Sequence, residues 1–138
     1  MDQVFSFSSS LGKEYIALLE RDQKDMTNRA DTPRRRKCRP GDRMYRYIDQ
    51  RSKHSKQLST RRCIAQIPWN ADDIPETKEI ALKITSPRPE LNWVDFARKD
   101  GIKDYYQFVD YFTNHEKGKK FLCFVWSKPI KLKKLTAF

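Results

Sequence analysis

The chain has 138 residues, 29 lysines and arginines against 18 acids, and a formal net charge of +11. That length suits one domain able to bury roughly two thirds of its unfolded surface, and 12% aromatic residues exceed what a disordered chain carries. No apolar run approaches the roughly 18 residues of a membrane span, and the first ten residues lack the basic start and apolar middle of a signal peptide, so a cytoplasmic protein is expected, with no membrane contact.

Charge is concentrated rather than spread. Residues 29–62 hold thirteen basic side chains and three acids, a net of +10, and the remainder is nearly neutral. A focused positive field on a balanced domain is the footprint of a polyanion, most often nucleic acid. The plainer alternatives are a solvated loop, a targeting peptide, or a patch for an acidic protein partner. Cys38, Cys63 and Cys123 are odd in number, far apart, and without a nearby C-x-x-C or histidine. They read as free thiols, and no metal or other cofactor is expected.

In chain order, residues 4–8 alternate apolar and polar as a short strand does. Leu11, Tyr15, Leu18 and Leu19 then place one apolar stripe on a helix of about three turns. Lys24, Thr27 and Arg29 follow at K-x-x-T-x-R spacing on an irregular turn or extended exit. Residues 30–40 form a basic loop, and Arg39-Pro40-Gly41-Asp42 reads as a turn in which glycine takes the positive φ. A strand over residues 43–48 should follow, then a polar connection over 49–60. Strands are expected at 62–69 and 79–84, joined by an acidic, proline-containing stretch. Asn92 caps one predicted helix, which stops at Gly101, and Asp104 with Gln107 resembles a capping box for another. The run FLCFVW at 121–126 predicts a buried strand, and the alternating tail at 130–138 an extension of it along an edge.

Lys24, Thr27 and Arg29, then Pro40, Gly41 and Asp42, then Ala97, Asp100, Gly101, Ile102 and Phe108, and last residues 121–126 follow one another in an order that resembles the ASCH family of the PUA-like superfamily. The resemblance covers most of the chain. It implies an α+β fold, a small, mainly antiparallel PUA-like β-barrel with about three short helices, in one domain spanning 1–138. It also implies a cleft in which the lysine-threonine-arginine segment faces the start of the later helix pair. That family is associated with RNA, its superfamily includes readers of modified bases, one branch is an amidohydrolase of acetylated cytidine, and another member is described as a ribonuclease. The amidohydrolase set of lysine, threonine and glutamate corresponds here to Lys24, Thr27 and Asp100, with aspartate one methylene shorter and followed by glycine.

Two readings stay open. In the first, RNA phosphates are gripped by Arg29, Arg34, Arg35, Arg36, Lys37, Arg39, Arg43, Arg46, Arg61 and Arg62, while Tyr45 and Tyr47 stack a base and the Lys24/Thr27/Arg29 cleft reads one. In the second, Lys24, Thr27 and Asp100 form the catalytic set of a ribonuclease or amidohydrolase. Thr27 would attack a carbonyl only with a base beside it, and Lys24 serves only as a neutral amine, well below its ordinary value of about 10.4. Asp100 has a plainer role open to it, ending a helix before Gly101. His54 and His115 are the only histidines and do not support a histidine-based mechanism. Trp93 and Trp126, among apolar neighbours, are assigned to the core.

Overall fold

A computed structural model describes residues 3–8, 13–20, 24–35, 37–50, 52–53 and 55–128. The expectations for Leu11, Arg36, His54 and the tail at 130–138 fall outside these residues. Strands β1 (Gln3–Phe7), β2 (Met26–Ala30), β3 (Arg43–Ile48), β4 (Lys56–Gln57), β5 (Arg61–Asn70) and β6 (Lys120–Trp126) form one sheet in the order β1-β3-β5-β6-β2, with β4 beside β3. Helices α1 (Lys13–Glu20), α2 (Lys78–Ala81), α3 (Trp93–Lys99) and α4 (Tyr105–Thr113) accompany it.

The α+β class is as expected, and among the described residues four helices stand where about three were expected. The barrel is corrected: the sheet is mixed, because β1 runs parallel to β3, and it does not close. β1 and β2 are its two edges, and what spans them is a side chain. The Arg29 guanidinium donates from Nη2 to the Ser6 carbonyl at 3.0 Å and lies over the Phe7 ring at 4.9 Å, where a ladder would otherwise run.

β6 explains its own composition. Phe121, Cys123 and Val125 face a core built with Trp69 and helices α2 to α4, whereas Leu122, Phe124 and Trp126 face a second core with Phe5, Phe7, Met44 and Leu19 of α1. A strand covered on both faces has no polar side, hence the unbroken apolar run. Trp93 and Trp126 are core residues as expected, and Trp69 joins them, its ring 5.1 Å from Phe121 and 5.7 Å from Trp93. All three cysteines are free, buried thiols.

One expected strand is a helix. Residues 79–84 alternate in sequence, yet 78–81 are α2, because Thr77 caps the turn, its Oγ1 accepting from the Ile80 N–H at 3.3 Å. Both sides of β5 are already taken by β3 and β6, so no sheet position remains for a further strand there. Ile80, Leu82 and Ile84 stay exposed as a result. The turn before β3 is as expected: Asp42 N donates to Arg39 O at 3.0 Å across a Gly41 with φ of +93°.

Candidate functional site

β2 leaves Lys24 and runs along the open edge of the sheet. Successive residues of a strand face opposite sides, so Thr27 and Arg29 share the β1 side while Met26, Asn28 and Ala30 face the helices. Across from β2, α3 ends at Asp100 and Gly101. Asn92 starts that helix by accepting from the Asp95 N–H at 2.8 Å, and Asp100 N closes it on Phe96 O at 3.1 Å. Between these walls lies a cleft of about 740 Å³, lined by Thr27, Asn28, Arg29, Asp100, Gly101 and Tyr111, with Ser6 and Tyr15 at its β1 and α1 side.

The sequence-derived set converges here. Lys24 Nζ, fully buried, donates to the Asp100 main-chain oxygen at 2.6 Å and to its carboxylate Oδ1 at 2.9 Å. Asp100 thus ends α3 and also holds Lys24. Lys24 does not line the cleft; it sits behind Asp100 with its ammonium 5.0 Å from the Tyr15 ring centre. Thr27 Oγ1 accepts from Arg29 Nε at 3.3 Å. Burial lowers the Arg29 guanidinium from its ordinary value, with Tyr15 opposing, and burial raises the Tyr15 phenol, with Lys24 opposing.

Gly101 makes the cleft floor possible. Its φ is +95°, and a Cβ there would stand 2.8 Å from two carbons of the Tyr15 ring. Only glycine therefore lets the Tyr15 ring approach the turn that carries Asp100 so closely.

At the far end of β2 the chain enters the basic loop. Thr32, Pro33, Arg34 and Arg35 border a second groove of about 530 Å³ with Lys117, which follows α4. Arg35 is anchored by donating from Nε to Ala30 O at 3.2 Å, and its charge reaches Arg29. Lys37 and Arg39 are exposed beyond it.

Other expected site residues lie elsewhere. Arg46 and Arg61 are 0% and 2% exposed, so neither meets a surface phosphate. Alternation on β3 turns Arg46 inward with Met44 and Ile48; its guanidinium lies 5.1 Å from the Trp126 ring centre and donates to Ser59. Arg61 donates to Ser59 Oγ and Ser127 O, both at 3.0 Å. Arg43, Tyr45 and Tyr47 share the outer face of β3, and none lines the cleft. Arg62 is exposed and donates to Gly41 O at 2.9 Å. Tyr15, Asn28 and Lys117 were not singled out from sequence. Tyr15 was counted as apolar stripe; Asn28 carried a signal, as a polar residue in a strand between two motif positions. Among the described residues no group of three His, Cys, Asp or Glu side chains is placed to hold a metal ion.

The chain matches no protein-family model and no curated protein. Solved structures do match. A serine-to-alanine variant of ZmASCH from Zymomonas mobilis superposes with a TM-score of 0.54 at 16% identity over 94% of this chain and 72% of that one. A tyrosine-to-phenylalanine variant of ZmASCH gives 0.54 at 15% identity over 94% and 74%. The chain has the ASCH fold. Protein EF3133 from Enterococcus faecalis shares it, with a TM-score of 0.53 at 14% identity over 92% of this chain and 79% of that one. Within the ASCH fold Thr27, Arg29 and Asp100 line one cleft, and Lys24 is bonded to Asp100 behind that lining although 76 residues separate the two.

Proposed function

We propose that this ASCH-fold domain binds single-stranded nucleic acid, RNA in particular, holding one base in the cleft and the adjoining phosphates along the Arg34, Arg35 and Lys117 groove. The observation that carries this reading is continuity: β2 forms a wall of the cleft at Thr27, Asn28 and Arg29 and leads within three residues into the groove at Thr32. A strand rises about 3.3 Å per residue, so the two sites lie on the order of 10 Å apart, within reach of one oligonucleotide. A concave cleft takes an unstacked ring, which favours a single strand over a duplex. Arg29 serves as the fixed cation between base and backbone.

A hydrolase reading draws support from the contact of Lys24 with Asp100 and from Thr27 beside it. Lys24 gives hydrogen bonds to two Asp100 oxygens, however, and lies behind the lining, while the Thr27 hydroxyl is oriented by Arg29 rather than by a base. This geometry suits ligand binding, which needs no tuned amine.

The test is salt dependence of RNA affinity. Arg29, Arg34, Arg35, Lys37, Arg39 and Lys117 offer six cations, so log K against log salt should fall with a slope of roughly −4 for a single strand. Arg34→Ala with Arg35→Ala should flatten that slope by about 1.4. A salt-insensitive or undetectable interaction overturns the reading; RNA cleavage abolished by both Lys24→Ala and Thr27→Ala replaces it with the hydrolase.

A further inference from the structure

We infer that the cleft reads its base through the main chain of Asn28, which makes Asn28 the specificity-determining residue of the site. This rests on the nucleic-acid reading above and adds how the ring is recognised.

The ladder between β2 and β6 supplies the geometry. Asp31 N donates to Lys120 O and Trp126 N donates to Asp25 O, both at 2.8 Å, and the register pairs Met26 with Val125 through Ala30 with Phe121. Residues 25, 27, 29 and 31 are therefore the ones bonded to β6. In an antiparallel pair the hydrogen-bonding direction alternates, so the N–H and C=O groups of Met26, Asn28 and Ala30 point the other way. β2 is an edge strand, and the other way is its open side, along the cleft.

Among the described residues, that edge is open at one position. Met26 is fully buried, and the Ala30 carbonyl already accepts from Arg35 Nε. Asn28 remains, and no described residue bonds to its N–H or C=O. A peptide adding to a strand edge needs several consecutive free residues. One residue instead offers one donor and one acceptor side by side, the complement of an adjacent acceptor and donor on the edge of a nucleobase.

The Asn28 side chain keeps this element in place. Its Oδ1 accepts from Trp69 Nε1 at 2.9 Å, which ties β2 to the aromatic core and fixes the amide orientation, and its Nδ2 is a further buried donor without a partner. Arg29 and Asp100 flank the ring position with a fixed cation and a carboxylate.

Asn28→Pro removes the outward N–H and costs no ladder bond, since proline is tolerated on an edge strand whose N–H faces away. Asn28→Ala is its control, because it deletes the amide and keeps the N–H. Affinity for a short mixed-sequence single-stranded RNA is measured by fluorescence anisotropy, with folding followed by circular dichroism. Asn28→Pro is expected to bind at least about tenfold more weakly than Asn28→Ala. Equal affinity in a folded Asn28→Pro overturns the inference and leaves the nucleic-acid reading standing. Should that variant not fold, the wild-type chain decides. RNA whose bases are methylated on the hydrogen-bonding ring nitrogen should also bind about tenfold more weakly than unmodified RNA. Equal binding of methylated or abasic RNA overturns the inference, as only phosphates would then be held. Absence of any RNA binding by the wild type, or binding of an extended peptide in its place, overturns inference and reading together.

Discussion

A buried ammonium is stable only with its counter-charge, and Lys24 has one in Asp100. The pair is almost solvent-free, with side-chain exposures of 0% for Lys24 and 9% for Asp100. Desolvating two such ions consumes most of their attraction, so the pair adds little net stability, but removing one partner strands the other. Asp100→Asn keeps the shape and removes the charge, and should lower stability by about 3–5 kcal/mol in thermal denaturation. Lys24→Met with Asp100→Asn should recover part of that loss, since no buried charge then remains. Additive losses in the two single variants would show that the two groups are not coupled. Gly101 belongs to the same scale: Tyr15 covers the ion pair because no Cβ stands at position 101.

Helices α3 and α4 bring the second wall of the cleft to β2, and the start of α4 is fastened by Tyr105. Its hydroxyl donates to the Pro75 carbonyl, tying α4 to the segment that follows β5. Burial, assisted by Tyr106, pushes the Tyr105 phenol up to about 12. The sign follows from linkage. Below about pH 10, the ordinary tyrosine value, both folded and unfolded chains keep the proton, and the stability is fully present. Between pH 10 and 12 the unfolded chain loses its proton first, so stability falls as pH rises. The melting temperature should therefore drop across that window, and Tyr105→Phe should flatten the drop. A wild-type slope matched by the variant would locate the titration elsewhere. Element boundaries that rest on local bonds were legible: Asn92 and Asp104 cap α3 and α4 as their side chains suggested. The 79–84 segment was misleading because a threonine cap and an occupied sheet outweigh alternation.

The whole molecule carries its charge asymmetrically. The exposed cations Arg34, Lys37 and Arg39 crowd one end of β2, where like charges repel across solvent. Raising salt from about 10 to 150 mM shortens the screening length from roughly 30 to 8 Å and should raise the melting temperature by a few degrees in the absence of RNA. Invariance to salt would mean that these cations are internally paired. The sheet that carries the cluster is an open one whose edges are spanned by the Arg29 side chain, which leaves a strand edge beside the cleft. A fully closed barrel would have no such edge to offer.

The sequence by itself determined what depends on local chemistry. It showed a concentrated positive field, the capped helices, the glycine turn before β3, the buried strand at 121–126, and the resemblance that groups Lys24, Thr27, Arg29 and Asp100. Tertiary structure alone decided everything that depends on which face a residue takes and which neighbours it meets. Arg46 reads as a surface cation until β3 alternation places it against Trp126, and Tyr15 reads as core until Gly101 admits it to the cleft. The direction of the Asn28 main chain is set by the β2–β6 register, a pairing between residues nearly a hundred positions apart that no local pattern encodes.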